Sequence, residues 1–325
     1  MSAESIIGWQ PSPAQLEALI AVYRYGRYLE NYRLPPERSR AHERWLLEQA
    51  LSRPDAITVA VSDGTTVDGL LVGHYSAWDS DHFGYGVAVI DGIYLAEKGY
   101  AHDRTVADRL VAGFMAWCRT GHVRFASMRL SSLQLAAIHA LEQAGFRYIE
   151  SYIYNVFDLD RLGKPDDSLP ALRLARPEDE AIMMRYAPGA FATQRFHADP
   201  RIEPEKAEGL YRKWIASAFA DPQRETLVME EDGRPVAFMV CRVEDHRSTL
   251  GMRLVVFNMA LLDPESRGKG LGARFYSALL HHYARKGFEL LETGVSMRNQ
   301  VSVNWHNKTG FRIVSTQITL HGWLD

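Results

Sequence analysis

The apolar positions along this chain change period several times, and the changes come round twice. From about Thr105 to Arg119, and again from about Leu271 to Lys286, apolar residues recur every three or four positions, which predicts a long amphipathic helix in each place. A short apolar run follows each one, Phe125–Leu130 and Leu290–Met297, and reads as a strand. Upstream, residues 62–73 (SDGTTVDGLLVG) and 231–242 (EDGRPVAFMVCR) join an Asp-Gly pair to an apolar run, the pattern of a β-hairpin. Downstream, LEQAGFR at 141–147 matches HNKTGFR at 306–312, so two Gly-Phe pairs lie 165 positions apart.

Each half therefore runs helix, hairpin, strand, helix, strand, helix, strand. That order predicts an α/β (α+β) chain made of a tandem repeat, each copy a mixed, largely antiparallel sheet flanked by helices. The stretch Leu162–Pro170, rich in Gly, Pro, Asp and Ser, marks the break. The expected domains are 1–162 and 163–325. One large sheet made by both halves fits the same pattern.

Composition narrows the functions open to such a chain. Its 325 residues, 46% apolar and 24% charged, suit two ordinary globular domains with a core each. A net charge of −3 without a Lys/Arg tract argues against nucleic acid as the main partner. Cys118 and Cys241 are too few for a disulfide framework or a Cys-based zinc site, and their apolar neighbours point to buried thiols in a reducing compartment. No metal is expected. The N-terminus has no basic leader, and no apolar run approaches the roughly 18 residues of a membrane span, so a cytoplasmic location away from membranes is expected.

The chemistry concentrates after the apolar strand Val255–Leu262. Asp263-Pro264-Glu265-Ser266-Arg267-Gly268-Lys269-Gly270-Leu271-Gly272 runs straight into the second amphipathic helix. Three glycines leave backbone N–H groups unshielded where the helix dipole is positive, and Arg267 and Lys269 add charge: a diphosphate site. A Walker loop is excluded because Gly270, not Ser or Thr, comes after Lys269. The dinucleotide fingerprint is met by Gly268, Gly270 and Ala273. It nevertheless wants its first glycine at the strand's tip, and five residues including Pro264 intervene.

Pro264-x-x-Arg267-Gly268-x-Gly270-x-Gly272 resembles the acyl-CoA loop of the GNAT superfamily of N-acetyltransferases. Asn299-x-x-Ser302-x-x-Trp305-His306-Asn307-Lys308-x-Gly310-Phe311 is similar to that superfamily's second signature. The resemblance implies an acyl-CoA-dependent N-acyltransferase with acetyl-CoA, or another acyl-CoA, as co-substrate. The acyl-CoA would lie in a splay between Val255–Leu262 and Leu290–Met297. Arg267, Gly268, Lys269, Gly270, Leu271 and Gly272 would hold the pyrophosphate. Unpaired amides near Leu261 and Leu262 would bind the pantetheine and polarise the thioester carbonyl, and Asn299 would bond the pantetheine arm. His306 stands where the superfamily keeps its tyrosine, and as an imidazolium it would protonate the departing thiolate. Asn258, where some members carry Glu, is no base. Arg195, His197 and Asp199 come after the first helix of this half and are the candidates for the acceptor side. Aligned on Gly145-Phe146, the first half offers His102 to Ala107 with no glycine, so it is expected to be a degenerate copy without an acyl-CoA site.

A finer resemblance concerns the amine. Trp78-Asp79-Ser80-Asp81-His82-Phe83-Gly84, Arg195 to Pro200, Ala207-x-x-Leu210-Tyr211-x-x-Trp214-Ile215 and Thr319-Leu320-His321-x-Trp323 look like bacterial TDP-fucosamine-type acetyltransferases. They imply a nucleotide-linked amino sugar as acceptor. Tyr23, Tyr25, Tyr28 and Tyr32, with Arg24, Arg27 and Arg33, could face its base and diphosphate. The other readings are N-acetylation of a small amine, antibiotic or peptide terminus, and a non-catalytic acyl-CoA-binding module. The chain could work as a homodimer.

Overall fold

The computed structural model describes residues 4–29, 34–164, 168–266 and 268–324. It divides into two compact units. The first is Met1–Tyr152 together with Ser315–Asp325, and the second is Ile153–Val314. The boundary expected at 162/163 therefore differs in two places: Ile153–Leu162 goes with the second unit, and the last eleven residues go with the first. A strand end is recruited wherever its edge finds a ladder, and a Pro/Gly-rich stretch in the sequence does not report that.

The first unit contains β1 (Glu4–Ile7), α1 (Pro13–Val22), α2 (Pro36–Leu51), β2 (Ala56–Ser62), β3 (Val67–Tyr75), α3 (Ala77–Phe83), β4 (Gly86–Leu95), α4 (Tyr100–Thr120), β5 (Val123–Ser131), α5 (Leu135–Gln143) and the start of β6 (Arg147–Asp158). The second contains the end of β6, β7 (Leu172–Leu174), α6 (Asp179–Tyr186), α7 (Arg195–Ala198), α8 (Pro204–Ala220), β8 (Arg224–Glu231), β9 (Arg234–His246), β10 (Met252–Leu262), α9 (Leu271–Arg285), β11 (Leu290–Ser296), α10 (Gln300–Lys308) and the start of β12 (Arg312–Trp323). Strand order is β1-β2-β3-β4-β5-β12 in the first unit and β6-β11-β10-β9-β8-β7 in the second. Strand β4 pairs parallel with β5 and β10 with β11, while β1–β2, β2–β3, β3–β4, β5–β12, β7–β8, β8–β9 and β9–β10 pair antiparallel, a mixed, largely antiparallel arrangement as expected.

Each central helix covers its sheet with an apolar face. On α9, Leu271, Phe275, Leu279 and Tyr283 recur at helical spacing and pack into a core with Val255, Phe257 and Leu291. On α4, Val106, Leu110 and Phe114 do the same against Val59, Leu71 and Ile90. Helix α4 starts at Tyr100, about one turn before the predicted Thr105, because nothing in His102–Thr105 breaks it. Cys118 and Cys241 are buried free thiols, and burial pushes the Cys118 thiol up to about 12.

Within the first unit one polar cluster is sealed into the core. Glu150 on β6 is buried and accepts from Arg129 Nη2 at 2.8 Å, while Arg129 Nε donates to Thr319 Oγ1 at 3.0 Å. The guanidinium lies 3.6 Å from the centre of the Tyr152 ring. Arg129→Met would strand a buried carboxylate, and such losses cost about 3–5 kcal/mol. Chemical denaturation should show that drop, and the double variant with Glu150→Leu should regain much of it; a drop that the second change deepens would refute the pairing.

The candidate acyl-CoA site

The site begins where two parallel strands part. Strands β10 and β11 pair from Leu254 with Leu290 to Phe257 with Thr293, and there the ladder ends although both strands run on. At the same point β10 carries a bulge against β9. Phe257 faces Cys241 and Met259 faces Val240, leaving Asn258 as the extra residue, with its side chain exposed. A bulge bends its strand and re-aims the residues beyond it. The result is the splay expected between these two strands.

Alternation then decides which amides face the gap. Asp263 N–H donates to Val236 O at 2.8 Å, toward β9. In an antiparallel ladder alternate residues turn their N–H and C=O to the same side. Leu261 therefore points to β9, and Ala260 and Leu262 point into the splay. Of the two residues expected to lend amides here, Leu261 turns its backbone to β9, and Ala260 faces the gap in its place beside Leu262. A run of apolar residues carries no phase, so the sequence could not choose between them.

Beyond β10 the loop is built by one buried carboxylate. Asp263 accepts from Glu265 N–H at 3.1 Å and Ser266 Oγ at 2.9 Å, while its carbonyl takes Ser266 N–H at 3.0 Å, tying Pro264–Ser266 into a tight turn. The Asp-Pro pair was the available signal for this role. Arg267 lies outside the described residues. Gly268 and Gly270 come next, with φ of 76° and 78°, and nothing lies within 4 Å of where a Cβ would stand. The left-handed backbone is what demands glycine, and the open space above it is room for a ligand. Lys269 is exposed between them. Gly270 precedes α9 with no side-chain cap, so the N–H groups of Leu271 and Gly272 head a helix whose first turn is open to an anion. A Cβ on Gly272 would come 3.4 Å from Leu262 Cδ2, which keeps helix and strand close.

The second signature lies on α10. Asn299 precedes the helix, and its Oδ1 accepts from Ser302 N–H at 3.2 Å. That cap uses the oxygen and leaves the amide nitrogen for another partner. His306 departs from expectation. It is 2% exposed and packed edge-on against Phe311 at 4.7 Å and Tyr276 at 6.0 Å. Burial drives its pKa from 6.5 down to about 4, opposed only in part by the backbone of Ser302 one turn earlier. At neutral pH the imidazolium is then roughly one part in a thousand. A buried, mostly neutral imidazole is poorly disposed toward the cationic proton-donor role expected of it.

On the acceptor side, α6 ends beside the loop: Tyr186 Oη donates to Pro235 O at 2.9 Å, next to the residue that holds Asp263. The segment after it carries the three candidates. Asp199 is buried and its Oδ1 accepts from Arg201 N–H at 2.9 Å, which holds the turn after α7. Arg195 lies over the Phe196 ring at 4.6 Å. His197 stacks on Tyr211 and its Nε2 is 3.4 Å from Glu208, a partner the sequence did not single out. The motif of the finer resemblance at Trp78–Gly84 forms a short capped helix, with Ser76 bonding Asp79 at 2.7 Å and Gly84 left-handed. Tyr23, Tyr25 and Tyr28 lie on the turn after α1, where Tyr28 is buried and Tyr25 bonds Glu97; Tyr32 and Arg33 lie outside the described residues.

Comparison with known proteins agrees with this geometry. The acetyltransferase (GNAT) family profile matches residues 190–311. The L-amino acid N-acyltransferase MnaT of Escherichia coli is 32% identical over 161 residues, 48% of this chain and 89% of that relative. The chain belongs to the GNAT family. It is an acyl-CoA-dependent N-acetyltransferase of GNAT type. Two solved structures share the fold along nearly the whole length. A GCN5-related N-acetyltransferase from Sphaerobacter thermophilus has a TM-score of 0.63 at 15% identity, covering 98% of this chain and 95% of that one. A tandem GNAT protein from the clavulanic acid biosynthesis pathway has 0.59 at 14%, covering 98% of each. The GNAT repeat inferred from the two Gly-Phe pairs is thus a tandem GNAT architecture. Among the described residues, no helix is long and apolar enough to cross a membrane.

Two substitutions probe this site. Gly270→Val should retain the fold, because left-handed strain at one residue costs about 1–2 kcal/mol. It should remove acetyl-CoA binding in a calorimetric titration, and unaltered affinity would relocate the pyrophosphate. For His306, the lowered pKa means that the unfolded chain binds the extra proton first. Its contribution to stability is complete above pH 6.5, falls as pH drops toward 4, and amounts to ~3 kcal/mol in all. His306→Phe should flatten that part of the stability–pH profile and keep turnover within a few-fold of wild type; a loss beyond a hundredfold would restore the histidine to the chemistry.

Proposed function

We propose that the second unit transfers an acetyl group from acetyl-CoA to the primary amine of a small amino-acid-like molecule. The observation that carries the cofactor half of this reading is the splay: β10 stops pairing with β11 at Phe257, and the glycine turn and bare α9 terminus come within one loop of it. The acceptor half rests on the likeness to a relative that acts on L-amino acids.

Acetyl-CoA, when bound, supplies the activated thioester. Around it, Gly268, Gly270 and the N–H groups of Leu271 and Gly272 would take the diphosphate, with Lys269 and Arg267 as countercharges. Ala260 and Leu262 would present backbone groups along the splay, and donors fixed before reaction stabilise developing oxyanion charge without reorganising. Asn258, exposed at the bulge, can orient an amine but not deprotonate it. With His306 neutral and buried, solvent supplies the thiolate's proton, which a fair leaving group tolerates.

A nucleotide-linked amino sugar is the second reading, favoured by the resemblance of the Trp78, Arg195 and Ala207 motifs. Most of the residues carrying it form caps or core: Leu210, Tyr211 and Ile215 are buried on α8, and Leu320 and His321 on β12. An amine panel with acetyl-CoA and thiol detection should show free L-amino acids or their analogues acetylated. Melting curves with TDP or UDP should not shift. Stabilisation by either nucleotide, with amino acids inert, would favour the sugar, and inertness to every amine would favour a binding module.

A further inference from the structure

The two units repeat bond for bond at the turn that leads into α5 and α10. Gln134 N–H meets Ser131 O at 3.1 Å, and Asn299 N–H meets Ser296 O at 2.9 Å. Leu133 N–H reaches Ser131 Oγ and Arg298 N–H reaches Ser296 Oγ, both at 3.3 Å. Ile138 N–H returns to Gln134 O, and Val303 N–H to Asn299 O, both at 3.0 Å. Gln134 and Asn299 therefore occupy one place in the fold.

Their carboxamides go different ways. That of Asn299 bends back to cap its own helix. That of Gln134, one methylene longer and 3% exposed, makes no cap bond; its Nε2 donates to Ile93 O at 2.6 Å on the neighbouring strand. Ile93 stands in the first unit's own splay. Strands β4 and β5 stop pairing at Ile90 with Met128, and Asp91 is the bulged residue against β3. Ile93 comes two residues after that bulge, as Ala260 comes two after Asn258. Ala96 N–H to Asp68 O at 2.9 Å repeats Asp263 N–H to Val236 O, so Ile93 and Ala260 turn the same way, into the gap. The first unit has also replaced the glycine loop: α4 begins at Tyr100, and buried Asp103 accepts the Lys98 N–H at 3.1 Å.

We infer that Gln134 closes the first splay with an amide of this chain in the place of a ligand's amide. The side-chain length at this one position then determines which of the two splays can take an acyl-pantetheine arm. A strand carbonyl in a buried groove must find a donor. Glutamine supplies it internally; asparagine cannot reach and leaves Ala260 to a ligand. This rests on the reading that the second splay holds acetyl-CoA.

The test compares Asn299→Gln with Asn299→Ala in the full chain, titrating acetyl-CoA by calorimetry after melting curves confirm folding. Neither replacement is a good helix cap, so loss of the cap is common to both. Only glutamine reaches the strand, so Asn299→Gln should lose at least tenfold more affinity than Asn299→Ala. Equal losses would overturn the inference. No binding by the wild-type chain would overturn the cofactor reading, and this one with it. A second variant leaves the acetyl-CoA site untouched: Gln134→Asn should raise the stoichiometry of S-acetylpantetheine from one to two per chain, and a value still at one would count against it.

Discussion

The organising constraint is a parallel strand pair that stops short. Four residues of β10 find partners on β11, and then a bulge at Asn258 turns the rest of the strand away. Backbone groups left at such an edge need hydrogen bonds, and in a sheet interior no water competes freely to supply them. A ligand that carries amides along an extended arm meets that need. The adjoining loop meets the same ligand's charge, since the glycine turn and the bare start of α9 present N–H groups without side chains in front of them.

The first unit faces the same constraint and resolves it internally. Its strands part after Ile90, its bulge is Asp91, and its unsatisfied carbonyl is bonded by Gln134. Where the second unit has two left-handed glycines ahead of α9, the first has one, Gly99, ahead of α4.

Burial also redistributes the chemistry among side chains. His306 has the residue type and position of a proton donor, yet an aromatic surround of Tyr276, Trp305 and Phe311 holds it neutral. Asp199 and Asp263 are consumed by turns. Among the described residues, the splay and the glycine loop offer backbone groups, with the side chains of Asn258 and Lys269 exposed beside them. Such a site suits a reaction whose main demand is to place a thioester and an amine against each other.

The sequence by itself determined the repeat, the mixed sheets, the helix faces and the glycine loop. Each rests on short-range regularity: a period of three to four on α9, an Asp-Gly turn in each hairpin, glycines at φ values other residues avoid. Tertiary structure alone decided the phase and surroundings of those same residues. That Ala260 rather than Leu261 faces the splay depends on the β9 register. That His306 is neutral depends on rings brought in from α9 and from Phe311. That Ser315–Asp325 completes the first unit depends on β12 finding the edge of β5. Pairing partners and burial come from residues far apart in the chain, and no local pattern encodes them.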